Sequence, residues 1–86
     1  MSTSPIDIRP LARTVMVSDD SLTVTLADGR TITVPLVWFP RLLHADPEAR
    51  NRWELLGDGE GIHWPTVDED LSVEGLLAGN RARGAA

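Results

Sequence analysis

The chain has 86 residues, no cysteine, and thirteen acids against eight arginines without a single lysine, for a formal net charge of −5. This composition excludes disulfides, thiolate metal sites and cysteine nucleophiles, and it argues against direct nucleic-acid binding, which needs clustered positive charge to release counterions. At 9.4 kDa, the scaling of surface with mass buries roughly 63% of the extended chain's area, enough for one modest core.

No apolar run approaches the ~18 residues of a membrane span, and the N-terminus MSTSPIDIRP lacks the regions of a signal peptide, so no membrane partner and a cytoplasmic location are expected. Residues 1–10 read as an irregular lead-in that Ile6, Ile8 and Leu11 could anchor, residues 11–79 as a single domain, and residues 80–86 as a frayed tail.

ARTVMVS is rich in β-branched residues and ends at a DDS turn cluster, which predicts a first strand. SLTVTLADGRTITV then alternates: Leu22, Val24, Leu26, Ile32 and Val34 share one face, and Thr23, Thr25, Thr31 and Thr33 the other. A two-residue Asp28-Gly29 loop would set Val24 opposite Thr33 and mix the faces. A three-residue loop, Ala27-Asp28-Gly29, sets Val24 opposite Ile32 and Leu22 opposite Val34, with Gly29 at the left-handed position. Pro35 cannot donate to a ladder and ends the strand.

Pro40 can start a short helical turn with Leu42 and Leu43 inward. DPEARNRWELL predicts a longer helix: Asp46 as N-cap, Pro47 at the first position, Glu48 in the first turn, and Ala49, Trp53 and Leu56 on one face. Glu48 and Arg52 are spaced for an exposed ion pair worth ~0.3–0.5 kcal/mol. GDGEG breaks that helix and returns the chain as a loop or short strand through IHW. SVEGLLAGN predicts a last helix, with Val73, Leu76 and Leu77 inward and Gly79 or Asn80 at its stop. Ser72 is its expected cap, and Thr66 with Glu69 also fits the capping-box spacing. The expected fold class is α+β, a small antiparallel β-meander over about residues 12–34 packed against short helices.

The stretch GIHWPTVDEDLS gathers His63, Asp68, Glu69 and Asp70. As metal ligands they lack a recognisable pair, since the two histidines, His44 and His63, stand 19 residues apart, and the acids lack the glycine and terminal ligand of a calcium loop. As catalytic carboxylates they need burial that acids ahead of a helix do not require. They are expected instead to be helix-start acids with His63 partly exposed. No metal, cofactor or catalytic residue is therefore assigned, and the chain is expected not to be an enzyme. The acids from Glu54 to Glu74, with no base between them, make a solvated face or an acidic docking surface for a basic partner. Trp53 is expected in the core; Trp38 and Trp64, beside prolines, either cover the core or anchor a partner. The candidate interaction surface comprises Trp38, Arg41, Arg50, His63, Trp64, Asp68 and Asp70, for a protein partner or for a homodimer formed at an open sheet edge.

The order L-x-V-x-L-x-D-G-R, V-P-L-x-W-F-P-R-L, A-R-N-R-W-E-L and G-I-H-W-P-x-x-D-E-D-L-S-V-E-G-L-L-A-G resembles the bacterial domain-of-unknown-function family DUF2442, over about residues 12–79. The resemblance implies a small α+β domain, without established catalytic residues, like the N-terminal domain of members that carry a helix-turn-helix. It also implies a two-gene arrangement resembling toxin-antitoxin or similar modules; with the negative charge, small size and lack of a catalytic motif, the chain is expected to be a non-enzymatic protein-interaction module, the acidic member of such a pair. A chain ending soon after Gly79 would need a partner for any DNA contact. The remaining expectation is a small-ligand or metal-binding domain using His63, Asp68 and Asp70.

Overall fold

The computed structural model describes residues 10–82. The Ile6 and Ile8 anchors and the end of the tail fall outside the described residues. The order is β1 (Ala12–Val17), β2 (Ser21–Leu26), β3 (Thr31–Pro35), a 3-10 turn (Leu36–Trp38), α1 (Pro40–Leu43), α2 (Pro47–Arg50), β4 (Glu54–Leu56), β5 (Gly61–Trp64), β6 (Glu69–Ser72) and α3 (Val73–Ala78). The strands form two antiparallel three-stranded sheets, β1-β2-β3 and β4-β5-β6, so the fold is a small α+β one.

The first sheet is the expected meander. Val24 pairs with Ile32 and Leu22 with Val34. The three-residue loop is closed by Leu26 N–H to the Arg30 carbonyl at 2.8 Å and by Gly29 N–H to the Leu26 carbonyl at 3.0 Å. Gly29 sits at φ +95°, where a side chain would be strained. Leu22, Val24 and Leu26 are buried while the threonines face out or lie at the boundary. In β1, Ala12 and Val15 turn inward and Met16 is 72% exposed.

One apolar cluster joins both sheets and the helices. Leu22 and Val24 of the first sheet and Ile62 and Trp64 of the second are buried in this cluster together with Leu36, Phe39, Leu42, Val73 and Leu76. The sheets are also stitched through backbone. Ala12 donates to the Gly59 carbonyl at 2.7 Å. Gly59 has φ +112°, and a Cβ there would lie 2.5 Å from the Ala12 carbonyl oxygen, so the contact requires glycine.

The second half departs from expectation. Asp46 does cap α2, accepting from Ala49 N–H at 2.8 Å, and Arg52 meets Glu48 at 3.2 Å. The helix, however, stops at Arg50 rather than reaching Leu56. The indole N–H of Trp64 takes the Arg50 carbonyl at 3.0 Å, which removes an acceptor a longer helix would use. Glu54–Leu56 gains a ladder with β5 instead, setting Leu55 beside Ile62. GDGEG thus serves a hairpin, not a helix stop.

The acids of GIHWPTVDEDLS are also relocated. Glu69 to Ser72 form β6 rather than a helix lead-in, and Asp68 turns the chain at φ +54°, a left-handed position that aspartate tolerates. Ser72 is the cap of α3, accepting from Gly75 N–H at 2.9 Å, and Gly79 ends it at φ +80°. Leu77, expected inward, is 44% exposed.

Candidate functional site

His63 and Asp70 face each other across β5 and β6. Val73 N–H bonds the Glu60 carbonyl at 2.9 Å. In an antiparallel ladder hydrogen-bonded pairs alternate with non-bonded ones, so counting back from Val73 makes His63 and Asp70 a non-bonded pair, whose side chains approach closely. His63 Nδ1 hydrogen-bonds the Asp70 carboxylate. Glu54 lies across from His63 on the other side, in β4. The Asp70 hydrogen bond is the main cause that raises the His63 pKa; partial desolvation opposes it, and the charges of Asp70, Glu54 and Asp68 add to it. Among the described residues no three His, Asp or Glu side chains are placed to hold a metal ion.

Two members of the expected interaction surface are structural instead. Trp64 is fully buried. Arg50 is 6% exposed: Nε donates to the Leu42 carbonyl at 2.9 Å, Nη2 to the Leu43 carbonyl at 2.7 Å, and Nη1 to Asp19 at 2.8 Å. It ties the end of α1 to the β1–β2 turn. Nothing in the spacing of the sequence marks this role, because carbonyls at a helix end have no residue signature.

Trp38 is half-buried and Arg41 exposed, and Arg41 lines a cleft of about 400 Å³. One wall is β6, from Glu69 to Ser72; Phe39, Leu71 and Leu76 supply apolar surface; Arg41 and Arg81 stand on the α1 and C-terminal sides. Arg41 Nη1 donates to the Asp68 carbonyl at 2.6 Å, fixing the turn that leads into β6. Arg81 lies 4.7 Å from the Trp38 ring centroid, a cation–π distance, and Ala82 N–H holds its segment to the Trp38 carbonyl at 3.0 Å. Half-buried Trp38 thus packs on the core and carries an arginine.

β6 is one of the two edge strands of its sheet, β4 being the other. By the same alternation, Glu69 and Leu71 direct their backbone groups to β5, while Asp70 directs its N–H and C=O, and Ser72 its N–H, away from it. Burial is the main cause that raises the Glu69 pKa; Arg41 counters it, as does the neighbouring Asp70 N–H. The cleft therefore combines outward strand-edge groups, apolar surface and guanidinium donors, a set suited to peptide and carboxylate groups. Of the expected surface residues it brings together Arg41 and Asp70, with Trp38 behind Arg81 and Asp68 held by Arg41; Glu69, Ser72 and Arg81 were not singled out as members. Four residues, EDLS, alternate too briefly to announce an edge strand.

The fold and cleft define a small α+β domain with an open strand edge beside two arginines. The chain belongs to the DUF2442 family of proteins of unknown function, which it matches over residues 12–82. It is similar, at 33% identity, to a protein of unknown function from Rhodospirillum rubrum ATCC 11170, with a TM-score of 0.75 over 90% of this chain and 95% of that one. It is also similar, at 26% identity, to an uncharacterized protein from Chromobacterium violaceum solved by NMR, with a TM-score of 0.72 over 86% of this chain and 70% of that one. No curated protein matches the chain.

Proposed function

We propose that the chain is a non-enzymatic protein-interaction module whose contact site is the cleft beside β6. One observation carries the reading: an edge strand whose outward backbone groups border a cleft of about 400 Å³, lined by Arg41 and Arg81 as well as by Glu69 and Asp70. A strand edge offers N–H and C=O groups to another chain, and a cleft beside it gives that chain's side chains somewhere to go. The acids on the outward face of the second sheet, Glu54 and Asp70 among them, then steer partners rather than hold them.

Affinity capture from the native host tests this. Asp70→Pro removes an outward N–H while sparing the ladder to β5, since proline is tolerated at such edge positions. Asp70→Ala removes the carboxylate and keeps the N–H. A stoichiometric partner captured by wild type and by Asp70→Ala, and lost with folded Asp70→Pro, is expected. Equal capture by all three chains, or no partner at all, overturns the reading.

A further inference from the structure

We infer that the chain forms a homodimer in which β1 of one copy pairs, antiparallel, with β1 of a second copy about a two-fold axis at Met16. The inference concerns an edge of the first sheet and does not rest on the β6 cleft.

Strand β1 is paired on one side only, by β2. Ser18 N–H bonds the Ser21 carbonyl at 2.9 Å, which makes those two residues a hydrogen-bonded pair. Counting back along the register, Met16 and Thr14 direct their backbone groups to β2, while Val15 and Val17 direct N–H and C=O away from it. Toward its start the edge is closed, because the Gly59 carbonyl takes the Ala12 N–H. What stays open is residues 14–18, TVMVS, roughly 17 Å of strand at ~3.4 Å per residue.

Chemistry singles this edge out. The described strands leave four edges, β1 and β3 in the first sheet and β4 and β6 in the second. β3 ends at Pro35, which has no N–H to offer. β4 is only three residues long. β6 carries Glu69 and Asp70, and pairing it with its own copy sets like charges near each other. Residues 14–18 hold neither a charge nor a proline, two of the devices that keep an edge from pairing, and the β1 bulge lies at the Ala12 end.

Side chains and charges make a second copy the occupant. With the axis at Met16, Val15 exchanges backbone hydrogen bonds with the second copy's Val17, and the same exchange recurs across the axis. Met16, 72% exposed in the single chain, then meets the second copy's Met16 as a non-hydrogen-bonded pair, the arrangement that brings side chains closest. On the inner face, half-buried Val17 gains Val15 of the second copy. Moving the axis to Val15 or Val17 would leave Met16 opposite Thr14 or Ser18 instead. The ends are complementary as well: Arg13 precedes the open stretch, and Asp19 and Asp20 follow it. Antiparallel pairing brings Arg13 of each copy to the β1–β2 turn of the other. Arg13 and Asp20 are exposed, and Asp19 meets Arg50 through one carboxylate oxygen while remaining open to solvent. One short edge lies at the small end of interface sizes, about 1,200 Å² or less, so the dimer is expected to be weak and concentration-dependent.

The test is sedimentation velocity of the full chain from about 10 μM to about 1 mM, with amide NMR over the same range as a second readout. The expected result is a monomer–dimer equilibrium in which the Val15 and Val17 amides shift most. Met16→Lys puts a charge at the centre of the pairing and, at an exposed position, spares the fold; it is expected to weaken the dimer at least about tenfold. Arg13→Asp and Asp20→Arg are each expected to weaken it roughly threefold to tenfold, and the double variant to restore most of that loss. Asp70→Pro, which acts on β6, is expected to leave the dimer unchanged. Each variant is checked for a native NMR spectrum.

A chain that stays monomeric at about 1 mM overturns the inference. So does a dimer indifferent to Met16→Lys, a dimer abolished by Asp70→Pro, or a double charge swap no tighter than either single one. None of these outcomes bears on capture of a partner at the β6 cleft, so the two readings stand or fall separately.

Discussion

The two sheets share strand number and antiparallel order, yet different forces specify them. In the first, six-residue β1 and β2 carry alternating apolar and polar side chains, and β2 is covered on both sides by neighbours. In the second, strands of three or four residues place all of β4 in solvent and hold their shape through contacts from elsewhere: Gly59 against Ala12, Trp64 on the Arg50 carbonyl, Arg41 on the Asp68 carbonyl. A sheet of the first kind tolerates local change at its turns. One of the second kind depends on single atoms, and its short edge is the part left open for a partner.

The largest effect that would break or sustain this contrast is at one glycine of each sheet's hairpin turn, Gly59 and Gly29. Gly59→Ala forces a Cβ onto Ala12 backbone at a positive φ, and is expected to cost about 3 kcal/mol or more. Gly29→Ala has nothing within 4 Å of the added carbon and meets only the strain of its left-handed backbone, about 1–2 kcal/mol. Urea denaturation of both variants measures the difference. Equal losses would show that the second sheet is no more dependent on its seam than the first on its turn.

Next in size is Arg50→Met. It keeps much of the stem and strips two helix-end carbonyls of their donors; the Asp19 contact matters little because that carboxylate is 91% exposed. A loss of about 2–4 kcal/mol is expected. Trp64→Phe, which deletes the indole N–H and leaves a void, should cost about 1–3 kcal/mol and open the second sheet to amide exchange before the first. Exchange that is uniform across both sheets in Trp64→Phe would contradict a separately held second sheet.

These effects also explain what could be read from the residues alone. The β2–β3 hairpin was legible down to its register, because period-two alternation and a Gly29 turn admit one pairing. The caps at Asp46 and Ser72 were legible because each is a local contact within three residues. The second sheet was not. Ala49, Trp53 and Leu56 mimic a helical stripe, while the ladder of Glu54–Leu56 with β5 and the Trp64 indole on the Arg50 carbonyl are contacts that the local pattern does not announce. The candidate site was half legible for the same reason. Arg41 and Asp70 were singled out as surface groups, but the cleft between them depends on β6 being an edge strand, a property of the whole sheet. Arg50 and Trp64 have the composition of an interface hot spot and instead spend their polar atoms on buried carbonyls.

A smaller effect tests the caps. Ser72→Ala removes the side chain that accepts from Gly75 N–H at the start of α3, and Asp46→Ala does the same for α2. Each is expected to cost about 1 kcal/mol, measured by denaturation. Because Ser72 also belongs to β6, its loss should speed exchange at the β6 amides as well as in α3, whereas Asp46→Ala should leave both sheets as they are.

The smallest effect separates the sheets by pH. Each carries a side-chain contact at a non-hydrogen-bonded cross-strand pair: Thr23 with Thr33 at 3.3 Å in the first, His63 with Asp70 in the second. The hydroxyls do not titrate near neutrality; the imidazole does. The Asp70 hydrogen bond, with Glu54 and Asp68 nearby, raises the folded-state pKa of His63 above 6.5, the value to which unfolding returns it. The folded chain therefore binds the proton more tightly than the unfolded one. Its stabilising contribution is fully present below about pH 6.5 and is lost as pH rises through the raised folded-state value. Denaturation of wild type from about pH 5.5 to about pH 9 should show that decline, His63→Gln should remove it, and Thr33→Val should leave it unchanged. A decline that survives His63→Gln would place the titrating group elsewhere, and the row of Glu54, His63 and Asp70 would then be a solvated surface with no share in holding the second sheet.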